Sequence, residues 1–167
     1  YRLKDFQQSV AEVLPNQKKF QQNSLLYAGL VAAVREPSSL PPLDLSSVLY
    51  ESLKSKFKAK KFDDVVETSQ KLIDQYPTSA YLVNAYFFMA ETFYLKRDYK
   101  KCSELIDLMV DQFPDHDLTG FILLRLGQIS EINGQQDEAR EIYVTVSQQF
   151  QSLALKHQAL QMLKSVE

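Results

Sequence analysis

The chain has 167 residues, of which 45% are hydrophobic and 24% charged, and these values are typical of a globular domain with its own core. Its net charge of −2 argues against a nucleic-acid-binding surface, and its single cysteine, Cys102, excludes an internal disulfide and a cysteine-based zinc cluster. The longest apolar stretch, residues 25–34, is too short to span a bilayer. Because the chain begins with Tyr1 rather than Met, we expect a processed protein or a segment of a longer one, with any signal peptide or anchor outside it.

The first 45 residues predict a helical segment followed by a proline-rich strap. Residues 3–13 carry apolar side chains at the spacing of an amphipathic helix, which Pro15 would end, and residues 17–36 predict a second helix. The sequence EPSSLPPLD at residues 36–44 has three prolines and two serines. Two interpretations of it remain open: a flexible linker, or a strap that packs on the rest of the molecule.

From residue 46 onward the sequence repeats with a period of 37 residues. The words DQYP at 74–77 and DQFP at 111–114 are separated by this distance, and Phe150 keeps the aromatic position in a third copy. Apolar or small residues recur at the same offset elsewhere. Two of these aligned sets are Val65, Cys102 and Ala139, and Leu53, Ala90 and Gly127.

Within each repeat the apolar residues follow the spacing of amphipathic helices, so residues 46–167 predict an all-α fold of seven helices. The predicted bounds are 46–59, 62–75, 80–96, 99–112, 117–132, 136–149 and 153–166. The first six helices pair into three hairpins. The seventh should cover the apolar face of the last hairpin, as a stack of repeats requires.

The helix ends are predicted from local chemistry. Pro77 and Pro114 end helices because the residue before a proline is disfavoured in the helical conformation. Gly134 permits a left-handed C-terminal cap. The predicted N-caps are Asp98, either Thr78 or Ser79, and either Asp115 or Asp117.

These spacings resemble the tetratricopeptide repeat, a helical hairpin with large, small and aromatic residues at fixed positions and a final proline. In the first copy the matching residues are Leu49, Leu53, Val65, Leu72 and Pro77. In the second they are Tyr86, Met89, Ala90, Phe93, Cys102, Ile106, Met109 and Pro114. In the third they are Leu123, Leu126, Gly127, Ser130, Ala139, Tyr143, Val146 and Gln151, where Gln151 replaces the final proline.

The common period of this repeat is 34 residues, and the longer period here resembles a bacterial cell-envelope subclass. That subclass includes the C-terminal domain of the Tol-Pal cell-division coordinator and, more distantly, an outer-membrane assembly lipoprotein. The resemblance implies a right-handed superhelix preceded by one or two extra helices. Its repeats would span about 46–79, 80–116 and 117–152, with a capping helix at 153–167 and a separate segment at 1–45. The segment before residue 46 lacks the clean heptad coiled coil that the coordinator would have.

The resemblance also implies a groove on the concave face, which the first helix of each hairpin lines. The predicted partner-binding residues are Tyr50, Lys54, Asn84, Phe87, Glu91, Tyr94, Phe121, Leu124, Gln128 and Glu131. The aromatic side chains would anchor a peptide or helix of a protein partner, and the amides would bond its backbone. The alternative is that most of these aromatics pack between helices. Phe87 and Phe88 are neighbours on one helix, so one of them should belong to the core.

The other reactive residues have structural interpretations. Cys102 occupies a small position of its repeat and predicts a buried, inert thiol. We interpret His116 and its flanking aspartates as a helix cap rather than a metal site, and His157 as an exposed residue. The lysines at 54–62 predict a solvated helix end, with an anionic partner or lipid headgroups as the alternative. We find no catalytic, phosphate-binding or metalloprotease motif, and therefore expect no enzyme activity, no cofactor and no metal.

The repeat pattern therefore predicts a scaffold that holds a protein or peptide partner. The resemblance alone implies that it works within a cell-envelope complex in the bacterial periplasm. A cytoplasmic location is the alternative. We expect no nucleic-acid partner, and any membrane association would come through a partner or a missing anchor. Two other functions stay open: a docking or regulatory domain of a larger enzyme or of a secretion or motility machine, and a self-assembly module that forms a homo-oligomer through residues 1–36.

Overall fold

A computed structural model describes residues 43–166, and in this range the chain forms seven α-helices and no strand. The helices are α1 (Ser46–Lys58), α2 (Phe62–Gln75), α3 (Leu82–Leu95), α4 (Tyr99–Gln112), α5 (Asp117–Ile132), α6 (Gln136–Gln149) and α7 (Leu153–Ser165). The prediction of an all-α fold with seven helices from residue 46 is confirmed, with bounds that differ by at most two residues at an end. The helices and strap predicted before residue 43 lie outside the described residues.

The helices form a stack of hairpins. Each helix packs against the next one in the chain, and the first helix of each hairpin also packs on the first helix of the following hairpin. The last helix, α7, packs on α6 and α5 and so covers the apolar face of the third hairpin, as predicted. This nearest-neighbour pattern is that of a helical repeat protein.

The hydrophobic core is divided along the stack into three clusters. The first cluster contains Leu53, Val65, Leu72 and Ala85. The second contains Val83, Ala90, Cys102, Ile106, Met109, Ile122 and Ile129. The third contains Leu124, Ala139, Tyr143, Val146, Phe150, Leu155 and Ala159. Each cluster includes side chains from the first helix of the following unit, so burial of one hairpin depends on its successor.

The three turns inside the hairpins share one geometry. Lys60, Arg97 and Gly134 lie 37 residues apart and have left-handed φ angles of 57°, 61° and 76°. At the third turn, the Gly134 N–H donates to the Glu131 carbonyl at 2.9 Å and the following N–H reaches Ser130 at 2.8 Å. The same pair of bonds closes the other two turns, so each helix ends in a Schellman motif. The left-handed cap predicted at Gly134 is confirmed.

The repeated words DQYP and DQFP lie at the ends of α2 and α4. The N–H groups of Tyr76 and Phe113 still donate to the Leu72 and Met109 carbonyls, at 3.0 and 2.8 Å. Both residues then leave the helical conformation, with φ near −133° and −135°, because each precedes a proline. Phe113 packs against the second cluster, and Phe150, at the third copy, is 4% exposed in the third cluster. The words therefore end helices, as predicted.

The predicted N-caps are confirmed in part. The Asp98 carboxylate accepts from the Lys101 N–H at 3.3 Å and caps α4, as predicted. The prediction of Thr78 or Ser79 as the cap of α3 was wrong: Tyr81 takes the N-cap position and no side chain caps this helix, while the Ser79 hydroxyl accepts from the Tyr81 N–H at 3.1 Å within the preceding turn. The prediction of Asp115 or Asp117 as the cap of α5 was wrong. This helix begins at Asp117, which leaves His116 in the capping position, and its Nδ1 accepts from the Leu118 N–H at 3.0 Å. An unprotonated imidazole nitrogen satisfies this N–H as a carboxylate would.

Candidate functional site

The helices α3, α5 and α7 line a pocket of about 100 Å³. Two of these, α3 and α5, are first helices of hairpins and were predicted to line the concave face, whereas α7 was predicted only as a capping helix. The lining residues are Phe87, Glu91, Phe121, Leu124, Arg125, Gln128, Gln158 and Met162. A water molecule occupies about 30 Å³ in the liquid, so the pocket has room for one side chain rather than for a helix.

The pocket brings together five of the ten predicted residues. These are Phe87, Glu91, Phe121, Leu124 and Gln128. Leu124 is only 1% exposed and packs in the third core cluster, so it forms the floor of the pocket. The neighbouring aromatics differ in their other contacts: Phe87 lines the pocket, whereas Phe88 packs on Phe57 with ring centroids 5.0 Å apart. The two rings also contact each other edge to face, with centroids 5.9 Å apart.

Arg125 organises the polar side of the pocket. Its Nε donates to the Glu91 Oε2 at 3.0 Å, its Nη2 also bonds Glu91, and its Nη1 donates to the Gln128 Oε1 at 2.8 Å. Its guanidinium carbon lies 4.4 Å from the centroid of the Tyr94 ring. The hydrogen bonds to Glu91 raise the pKa of Arg125, and the guanidinium forms an ion pair with the Glu91 carboxylate. The pocket therefore has polar groups in fixed positions but no net charge from this pair.

The outer residues of the predicted groove have internal partners. The Tyr94 ring lies under Arg125 and also packs on Tyr99, with centroids 5.8 Å apart. Glu131 accepts a hydrogen bond from the Tyr143 hydroxyl, and burial, followed by this bond, raises the pKa of Tyr143. Tyr94 contacts Arg125, which lines the pocket, whereas Glu131 is hydrogen-bonded to a buried residue of the third hairpin.

The three predicted residues nearest the start of the stack form a separate cluster. The Tyr50 ring stacks on Tyr81 with centroids 4.5 Å apart, and its hydroxyl accepts from the Asn84 Nδ2 at 3.5 Å. Lys54 Nζ lies 4.7 Å from the Tyr50 centroid and 2.7 Å from Glu51. None of these residues lines the pocket at α3, α5 and α7. Their role in binding stays a prediction.

Sequence reasoning missed Arg125, Gln158 and Met162. A signal for Arg125 exists, because it is the only lysine or arginine between Lys101 and Arg140 and stands in an apolar helix. Glu91 precedes it by 34 residues, one helical turn short of the repeat period. Gln158 and Met162 come from α7, which sequence reasoning treated only as a cap. The sequence held no comparable signal for them.

The other reactive residues take no part in this site. Cys102 is fully buried, and burial raises the pKa of its thiol to about 12, which keeps it protonated and unreactive at neutral pH. Among residues 43–166 no three histidine, cysteine, aspartate or glutamate side chains are grouped so that they could hold a metal ion. Across the same range, every helix is too short or too polar to cross a membrane.

Comparison with known proteins now places this architecture. A family model described as a tetratricopeptide repeat-like domain matches residues 43–161. A search of curated proteins found no match at the significance threshold. Domains of this family typically have no enzymatic activity and generally bind protein partners. Because the match covers most of the sequence and the helices stack as such repeats do, the chain belongs to the tetratricopeptide repeat-like family.

Proposed function

We propose that this chain is a non-enzymatic scaffold that binds a peptide segment of a protein partner on its concave face, at the pocket between α3, α5 and α7. The observation that carries the proposal is the pocket itself, which is lined by five of the residues that the sequence predicts for partner binding. Peptide grooves of this kind combine an apolar anchor site with a few fixed polar groups.

The lining defines what the pocket would accept. Phe87, Phe121, Leu124 and Met162 supply apolar surface, and the available space suits one aliphatic side chain. Arg125 donates a hydrogen bond to the side-chain oxygen of Gln128. The side-chain NH2 group of Gln128 is therefore available to donate to another acceptor. We therefore propose a partner segment with one apolar residue in the pocket and a backbone carbonyl bonded to Gln128.

Selection from a random peptide library on the full 167-residue chain tests this function. We expect the selected peptides to share one aliphatic residue and to bind at least about tenfold more weakly to Gln128→Ala, since loss of one central contact has this effect. Gln158→Trp places a large side chain at the pocket rim and should abolish binding. The matched control is Gln112→Ala, an exposed glutamine on α4 outside the pocket. Peptides that bind both pocket variants as tightly as the wild type would refute the assignment.

We further propose that the scaffold works in a bacterial cell-envelope complex, as the resemblance of its repeats to the Tol-Pal coordinator type suggests. This proposal is supported by the 37-residue period and by the residues at the repeat positions. It does not depend on the pocket. Two observations test this proposal. The first is whether the full reading frame encodes an export signal, and the second is the cell fraction from which the protein is recovered. An export signal and recovery from the periplasmic fraction are the expected results, and recovery from the cytosol alone would contradict them.

A further inference from the structure

One edge of the stack concentrates positive charge. The turns inside the first and second hairpins lie at the same end of the stack, because the first helices of successive hairpins run in the same direction. A direct contact joins them, since Lys96 Nζ lies 2.7 Å from the Asp63 Oδ1 at the start of α2. We call these two turns the basic edge. Its cations are Lys58, Lys60, Lys61, Lys96, Arg97, Lys100 and Lys101.

Most of this charge is not neutralised within the fold. Three carboxylates, Asp63, Asp64 and Asp98, lie at the same edge. Two of them pair with Lys96 and Lys101. Within residues 43–166 the other five cations of the basic edge make no ion pair with a carboxylate. Because the whole chain has a net charge of −2, this excess is local and offset by acidic surface elsewhere.

Two of these cations have a left-handed backbone conformation. Lys60 and Arg97 occupy the left-handed position of their turns, with φ angles of 57° and 61°, where the third hairpin has Gly134. Glycine adopts this conformation without steric cost, whereas a residue with a Cβ does not. The chain therefore places a long basic side chain, twice, where the local fold favours glycine. A locally unfavourable residue that recurs is a reason to look for function.

We propose that the basic edge docks on an anionic lipid bilayer. The five unpaired cations project from two adjacent turns rather than from a cleft, which suits a planar surface of negative charge. Leu95 directly precedes Lys96 in the chain and has 45% of its surface exposed, and an apolar side chain next to cations suits the boundary between headgroups and acyl chains. A second cavity, lined partly by Asp115 and Asp117, lies at a loop between hairpins, so the bilayer would repel that end and orient the stack.

The test is cosedimentation of the full chain with vesicles of phosphatidylcholine containing about 30% phosphatidylglycerol, compared with phosphatidylcholine alone. We expect binding to the anionic vesicles only, and a steep loss as salt rises, because charges are screened beyond about 8 Å at 0.15 M salt. The critical variant is Lys60→Gly/Arg97→Gly. Glycine fits both left-handed positions, so this variant should melt at or above the wild-type temperature while its vesicle binding weakens about 25-fold, or about fivefold per cation.

The matched control is Lys71→Gln/Lys156→Gln, which removes the same charge from α2 and α7 away from the basic edge and should leave binding within about twofold of the wild type. Leu95→Ser should lower the fraction of binding that survives high salt. Equal binding to neutral and anionic vesicles, or unchanged binding by the glycine variant, would overturn the proposal. So would binding to soluble polyphosphate without binding to vesicles, since that result would indicate a soluble acidic partner. Peptide binding in the concave pocket should be unaffected by every variant at the edge.

Discussion

The first and third hairpins fill the same internal space in opposite ways. In the third hairpin, Gly127 on α5 faces Tyr143 on α6, and a Cβ added to Gly127 would lie 2.3 Å from the Tyr143 Cε1. At the same two repeat positions the first hairpin has Leu53 and Ser69, both fully buried. In the third hairpin the large residue is on the second helix and the small one on the first, whereas in the first hairpin the large residue is on the first helix and the small one on the second.

The second hairpin is intermediate between them. At the same positions it has Ala90 and Ile106, and both are fully buried. The repeat therefore specifies the total side-chain volume of two facing positions rather than a residue type at each. Protein interiors are close-packed, so a change at one position must be compensated at its partner. The weak sequence identity between the repeats follows from this exchange.

The largest expected effect at neutral pH is that of Gly127→Ala. The added methyl would overlap the Tyr143 ring, whose edge cannot move without displacing its buried neighbours. We expect a loss of about 3 kcal/mol in the free energy of unfolding, measured by urea denaturation. Gly134→Ala is the control, because nothing lies within 4 Å of its new methyl and only the left-handed backbone, with φ at 76°, is strained. That variant should lose about 1 kcal/mol.

A second substitution tests whether the volume is shared. Gly127→Ala/Tyr143→Ile rebuilds in the third hairpin the pair that the second hairpin has at Ala90 and Ile106. The double variant should be more stable than Gly127→Ala alone, with a coupling energy of at least about 1 kcal/mol. Additive losses from the two substitutions would show that the facing positions do not share one volume.

The third hairpin also depends on a buried polar contact that the first lacks. Tyr143 is fully buried and its hydroxyl donates to the half-buried Glu131 carboxylate. Tyr143→Phe should therefore cost about 1.5 kcal/mol, because it removes a hydrogen bond to a charged group and leaves the carboxylate without this donor. Glu131→Gln keeps an acceptor and should cost less. A loss in Glu131→Gln that equals or exceeds the loss in Tyr143→Phe would contradict this ranking.

Sequence reasoning recovered the helices more completely than the site, and particular residues show why. Helix faces and ends depend on nearby residues, so Asp98, Gly134 and the prolines of the repeated words were sufficient signals. The pairing of Arg125 with Glu91 depends on how α5 is rotated and shifted against α3, and it spans 34 residues rather than the repeat period of 37. A period identifies equivalent positions, but it does not identify contacts between different positions of neighbouring repeats.

The second hairpin has a titratable group where its neighbours have none. Cys102 aligns with Val65 and Ala139, and burial raises the pKa of its thiol from 9.0 to about 12. The unfolded chain therefore releases this proton first, and stability is lost as pH rises from about 9 to about 12. The expected slope is about 1.4 kcal/mol per pH unit, and Cys102→Ala should remove it. Urea denaturation of both proteins from pH 7 to 11 measures the difference. Parallel curves for the two proteins would refute the assignment to Cys102.

The smallest expected effect lies in the first hairpin. Ser69 is fully buried, and its hydroxyl has no hydrogen-bond partner within residues 43–166. An unpaired buried hydroxyl lowers stability, so Ser69→Ala should raise the free energy of unfolding by up to about 1 kcal/mol. Part of any gain would come from the higher helix propensity of alanine, and Ser55→Ala, at an exposed position of α1, measures that part alone. A gain no larger than that of Ser55→Ala would mean that the hydroxyl of Ser69 costs nothing, and that the first hairpin tolerates a small polar residue because Leu53 already fills the shared volume.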